Sequence, residues 1–248
     1  MSARALMYHD VEPGNPDVYA VTPERFSEHL DAIAAAGCGA PARADALAAG
    51  TDGWALTFDD GGISALAVAE ELARRSWVGH FFIAVDYVGR PISLDWDGVR
   101  EVAHMGHVIG SHSCSHPDRM ADLSWEQLLE EWSRSAAALA DALGEPVTTA
   151  SVPGGLYSKA VGRAAAQAGY TTLFNSLPTQ RVSAVDGTTL IGRYAVRRDT
   201  DPDEAAAAAS GVALQWARQA AAWRLRGAVK KVAGPRYESM RRALLARR

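Results

Sequence analysis

Seven short apolar runs, spaced along the chain with helix-like stretches between them, constrain this 248-residue sequence more than any other feature. They are Ala5–Tyr8, Trp54–Phe58, Gly79–Val85, His107–Gly110, Thr148–Val152, Tyr170–Phe174 and Thr189–Gly192. The intervening stretches carry helix-start signals. Thr22-Pro23-Glu24-Arg25 opens one that ends at Gly37. Ser124-Trp125-Glu126-Gln127 forms a capping box for another ending near Gly144, and Ser158 precedes a third closed by Gly169. Strands alternating with helices predict an α/β fold built on a mostly parallel sheet. Seven such units suit a TIM-like barrel one unit short better than two small domains.

The pattern changes after Gly192. Asp201-Pro202-Asp203-Glu204 reads as cap, first-turn proline and capping glutamate. The alanine-rich run that follows carries Leu214, Trp216, Trp223 and Leu225 and stops at Gly234-Pro235. It predicts one long helix packed on the body, with a last basic helix near Tyr237–Ala246. The expected organisation is a barrel over residues 1–200 and a C-terminal helical extension over 201–248.

Composition narrows the function classes. The chain is 48% hydrophobic and 22% charged with a mean hydropathy of −0.10, and no apolar run is long enough to span a bilayer. MSARALMYHDVEPG lacks the apolar core and cleavage site of a secretory signal, and Cys38 and Cys114 make no disulfide framework. A cytoplasmic location is expected. The net charge of −4 hides an asymmetry: residues 212–248 hold ten basic residues against the single acid Glu238. Such a tail suits a membrane face or a phosphorylated substrate, or is a solvated helical face. A nucleic-acid partner is not expected.

Parallel α/β folds collect functional groups where strands end. Three predicted strand ends carry polar groups: Asp59 and Asp60 in LTFDDGG, His112 and His116 in GSHSCSHP, and Ser151-Val152-Pro153-Gly154-Gly155. Neighbouring side chains on a strand point to opposite faces, so the two acids are expected to differ in role. Two imidazoles four apart plus a carboxylate make the ligand inventory of a metal site with room for water. The glycines are expected to let substrate approach.

TFDDG, followed about fifty residues later by H-[ST]-x-x-H, resembles the polysaccharide deacetylases of carbohydrate esterase family four, relatives of the chitooligosaccharide deacetylases of nodulation. GHFFI and GHVIGSHS extend the likeness, which runs from about Met7 to about Pro178. It implies an incomplete (β/α)7 barrel. It also implies that Asp59 is the general base and that Asp60, His112 and His116 hold a divalent metal, zinc by preference, with cobalt or nickel also suited to the ligands. Pro153 and Gly155 fit the family's R-x-P-x-G motif, and with Gly154 they are the expected substrate-side residues. Trp96 either lines a sugar groove or packs in the body, His107 is expected to be structural, His80 core, and Cys114 either a further metal ligand or, as preferred, a small filler between ligands.

Two family features are missing. Ser151 stands where the family has an arginine that orients the base, and no histidine follows His116 to serve as general acid. His9, in LMYHDV after the first strand, is the candidate acid or substrate contact. Arg193, in IGRYAVRR after the seventh, is the candidate guanidinium. The expected activity is metal-dependent removal of an N-acetyl group from an amino sugar, on a small-molecule, oligosaccharide, nucleotide-linked or lipid-linked substrate. The alternatives are a deformylase or cyclic amide hydrolase on the same barrel, and a non-catalytic carbohydrate-binding homologue.

Overall fold

The structure, a computed structural model, describes residues 2–233, with side chains as far as Leu225. The strands are β1 (Arg4–Tyr8), β2 (Trp54–Phe58), β3 (Gly79–Ile83), β4 (Val108–Ser111), β5 (Thr149–Ser151), β6 (Thr172–Phe174), β7 (Ser183–Val185), β8 (Thr188–Ile191) and β9 (Tyr194–Ala195). The α-helices are α1 (Pro23–Ala35), α2 (Ala44–Ala48), α3 (Ala65–Arg74), α4 (Trp96–His104), α5 (Trp125–Leu143), α6 (Lys159–Gln167), α7 (Pro202–Ala209) and α8 (Ala213–Ala233). All seven predicted strands are present, as β1 to β6 and β8, with ends shifted by at most two residues. None of the helices is long and apolar enough to cross a membrane among the described residues.

One sheet runs in the order β7-β8-β6-β5-β4-β3-β2-β1-β9, and every pair is parallel except β7 with β8. β8 and β9 sit at opposite ends of the parallel array, yet only Gly192 and Arg193 separate them. Seven flat inter-strand spacings would hold them roughly 34 Å apart. The chain from Ile191 to Tyr194 reaches at most about 11 Å. The sheet therefore curls into the incomplete (β/α)7 barrel, and the two-residue link bridges its seam. Gly192 makes the passage by close approach: a Cβ there would lie 2.4 Å from the Leu177 carbonyl oxygen and 2.6 Å from that of Thr179.

The helices follow their local signals. The Thr22 hydroxyl accepts from Arg25 N–H, and α1 buries Phe26, His29, Leu30 and Ile33, a stripe at i, i+3, i+4 and i+7. The Ser124–Gln127 capping box opens α5, which ends at Gly144 in the left-handed region. The predicted single C-terminal helix is in fact two. Gly211 turns the chain at φ 80° between α7 and α8, where a side chain would press on Arg4. α7 packs on α1 and β1, and Trp216 of α8 is 4% exposed, its indole donating to the Ala208 carbonyl. The helix expected near Tyr237–Ala246, with the basic residues from Arg236 onward, lies outside the described residues.

Two histidines are structural. His107 accepts from Gly79 N–H and contacts the Ala69 carbonyl. His80, fully buried in β3, accepts from Ala44 N–H at Nε2 and donates from Nδ1 to the Leu56 carbonyl. Burial pushes the His80 imidazole down to about 4, against a smaller opposing pull from the Leu56 hydrogen bond. Between pH 6.5 and about 4 the unfolded chain therefore binds a proton that the fold refuses. Stability should fall by about 3 kcal/mol across that window as pH decreases. Urea midpoints from about pH 7 down to about 4 test this, and His80→Gln, which can still accept and donate, should flatten the slope.

Candidate metal and active site

Asp59 continues the ladder one residue past β2, its N–H donating to the Tyr8 carbonyl at 3.0 Å, and its side chain is buried in the barrel mouth. Asp60 then turns to φ 76°. That left-handed step breaks the strict alternation expected of neighbours on a strand. Both carboxylates consequently converge on one imidazole: Nε2 of His112 is 3.8 Å from Asp59 Oδ2 and 3.4 Å from Asp60 Oδ1. His116 Nε2 lies 3.2 Å from the same Asp60 oxygen.

The loop from β4 brings the two imidazoles together by an unusual backbone path. Ser113 and His116 both have positive φ, 63° and 56°, and His116 N–H donates to the Ser113 hydroxyl. Residues held in this region cost about 1–3 kcal/mol each and persist only where the surroundings enforce them. Glu131 of α5 supplies that enforcement, accepting from the N–H groups of Cys114 and Ser115 and from the Ser115 hydroxyl at 3.0, 2.8 and 2.6 Å. The Cys114 side chain is buried and directed at Asp86, and burial pushes its thiol up to about 12, so it behaves as the expected filler. Tyr87 closes the outer side, its ring 5.5 Å from that of His116.

Donor atoms of Asp60, His112 and His116 all lie within 4.8 Å of one another. Ligands about 2.0–2.1 Å from an ion at tetrahedral angles stand roughly 3.4 Å apart. The 3.4 and 3.2 Å separations match that figure, so the residues fit a divalent cation. The His112 ring orientation fits as well. Nδ1 faces the Ser151 hydroxyl at 2.5 Å and the Ser151 carbonyl at 3.1 Å, which orients the ring so that Nε2 is the atom directed at Asp60 and at a cation held there.

Arg193 is wholly buried. Its guanidinium grips Asp59 in a two-point ion pair, Nη1 to Oδ1 at 2.7 Å and Nη2 to Oδ2 at 2.9 Å, while Nε donates to the Asn175 carbonyl. The Ser151 hydroxyl donates to Asp59 Oδ1 at 3.1 Å. Burial by itself would raise the Asp59 carboxyl; the charges of Arg193 and His112 and the Arg193 hydrogen bonds outweigh it and hold the group below its ordinary range. Burial likewise opposes ionisation of Asp60, and hydrogen bonds from His112 and His116 overcome it, leaving that carboxyl well below its ordinary value. Burial lowers His116, but Asp60 more than compensates and raises it.

The remaining candidates sit around this cluster. His9, one residue past β1, stacks on Tyr19 with ring centroids 4.9 Å apart, and its buried Nδ1 has no hydrogen-bond partner among the described residues. Pro153 is buried, and Gly154 adopts φ 65° with a Cβ position 2.2 Å from the Asp118 carbonyl oxygen. The space beside Gly155 belongs to Ser176, and that beside Gly62 to the Asp10 carboxylate. Protein atoms, rather than an open approach path, thus occupy the room these glycines leave. Trp96 opens α4 behind its Asp95 cap and is half-buried against the core. Sequence reasoning missed Glu131, which reads as one more acid on a helix, and Tyr87. The sequence marks Ser151 as a polar strand-end residue and a missing arginine, but not as the hydroxyl that joins His112 to Asp59.

The profile of the family described as Polysaccharide deacetylase matches residues 48–173, half of the chain. Among solved structures, IcaB from Ammonifex degensii is 23% identical, covering 84% of this chain and 97% of its own, with a TM-score of 0.71. A polysaccharide deacetylase from Bacillus cereus is 20% identical over 84% of this chain and 69% of its own, with a TM-score of 0.72. The deacetylase PplD from Streptococcus pyogenes, solved with acetate, is 18% identical over 82% and 96%, with a TM-score of 0.69. At these identities the likeness is one of fold. No curated protein matches the chain.

Proposed function

Because this chain belongs to the polysaccharide deacetylase family, we propose that its barrel mouth hydrolyses the N-acetyl group of an amino-sugar-containing saccharide. The observation that carries the reading is the placement of an arginine-clamped carboxylate beside a two-histidine, one-carboxylate cation site. A divalent cation held by Asp60, His112 and His116, zinc by preference for these donors, would supply Lewis acidity to the acyl oxygen and to a water.

The chain's own residues divide the rest of the work. Asp59 takes the proton from the attacking water. It stays ionised at neutral pH because Arg193 and Ser151 satisfy it. Its hydrogen bonds also fix the direction of its free lone pairs, which contributes through orientation rather than basicity. His9 gives a proton to the departing nitrogen. Its ring orientation is set by Tyr19. Candidate substrates are N-acetylglucosamine oligomers and nucleotide- or lipid-linked amino sugars, the last two suggested by the basic C-terminal tail.

Asp59→Asn should lower acetate release at least about a thousandfold, within the range set by loss of a general base and its electrostatic setting. Zinc content by elemental analysis should stay near that of the wild type, since the substitution leaves Asp60, His112 and His116 in place. Wild-type turnover by that variant would remove Asp59 from the reaction.

A further inference from the structure

The C-terminal helix meets the strand that follows Arg193 through a side-chain amide. β9 pairs with β1 on one side only, through the register Leu6 to Tyr194 and Met7 to Ala195. On the other side the N–H and C=O of Ala195 have no strand to meet among the described residues, and backbone groups left so are costly. Gln219 of α8 takes that place. Ala195 N–H donates to Gln219 Oε1 at 2.8 Å, and Gln219 Nε2 donates to the Ala195 carbonyl at 2.8 Å. A primary amide offers both an acceptor and donors, so one side chain pairs with both main-chain groups as a neighbouring strand would. α8 is anchored for this by Trp216, whose ring meets that of Tyr194 at 5.7 Å, and by Gln215, which donates to the Tyr194 hydroxyl. Tyr194 directly follows Arg193.

We propose that Gln219 is a positioning residue for the base: its pairing with Ala195 fixes β9 against β1 and so holds Arg193 in register with Asp59. The catalytic half of this rests on Arg193 acting as the partner of the base. The seam of the barrel is where such a device is needed, because no row of strand pairing joins β8 to β9 among the described residues. A shift of about 1 Å in a positioned group can cost about a hundredfold in rate.

The test uses nitrogen-15-labelled protein and Gln219→Met, which keeps length and apolar bulk without the hydrogen bonds. In the wild type, the Ala195 amide should exchange as slowly as ladder amides of β1 and β2. In Gln219→Met, the Ala195 amide and the Arg193 Nε–H should each lose at least about tenfold in protection, while amides of β4 and β5 keep theirs. Hydrolysis of 4-nitrophenyl acetate by the zinc-loaded variant should fall about tenfold in kcat with KM unchanged. An Arg193 Nε–H exchanging at the wild-type rate in folded Gln219→Met would overturn the proposal. A wild-type Ala195 amide exchanging like a free edge would overturn it without any variant. Equal turnover by wild type and Arg193→Lys would instead overturn the reading of Arg193, and with it the catalytic half of this one.

Discussion

Arg193→Met is expected to lower unfolding stability by about 3–5 kcal/mol and to reduce turnover at least about a hundredfold. The reason is the burial of its partner. Asp59 is 4% exposed and Arg193 0%, so removing the guanidinium leaves a carboxylate with no solvent to turn to. Two of its hydrogen bonds go with the arginine, and the Ser151 hydroxyl is the side-chain donor that remains among the described residues. The variant can relieve this only by protonating Asp59, which removes the base. Stability and activity are therefore expected to fall together, and the double variant Asp59→Asn with Arg193→Met should recover much of the stability and none of the turnover. Urea denaturation read by fluorescence, alongside acetate release, checks both halves. A single Arg193→Met variant as stable as the wild type would contradict the burial argument.

Asp60→Gly separates function from stability in the opposite sense. Its carboxylate is the acceptor shared by both imidazoles and one of the three groups that would hold the cation, so its loss should weaken zinc binding by about two orders of magnitude or more. Yet glycine is at home at φ 76°, where an aspartate is strained by about 1–3 kcal/mol. That relief offsets the lost contacts to His112 and His116. The metal-free variant should melt within a few degrees of the metal-free wild type. Calorimetric titration with zinc and thermal unfolding in chelator are the measurements. Unchanged zinc affinity would place the cation elsewhere.

The parallel-strand framework was legible because each strand is a short apolar run with a helix signal behind it. The hairpin of β7 and β8 was legible too and went unread: Asp186-Gly187, both at positive φ, is the two-residue turn signal between alternating residues. β9 was not legible, since two residues carry no periodicity and its existence depends on β1 and Gln219. The break at Gly211 hid inside an alanine-rich run whose helix propensity continues on both sides. At the site, LTFDDGG and GSHSCSHP announced the acids and imidazoles by type and spacing. The inversion of Asp60 could not be read from them, because aspartate reports its φ only once the fold imposes it. Arg193 could be nominated from its strand end; its grip on a carboxylate 134 residues away is a property of the curled sheet.

The two-residue link at Gly192 and Arg193 also fixes how the barrel tolerates changes in length. Side chains on an extended chain alternate inside and outside, so one residue inserted between Arg193 and Tyr194 would carry the guanidinium to the outer surface while β9 kept its pairing with β1. Asp59 would then face an empty interior. Two inserted residues would return the arginine to the inside, and the circumference of the barrel, set here by chain length instead of ladder register, would grow with them.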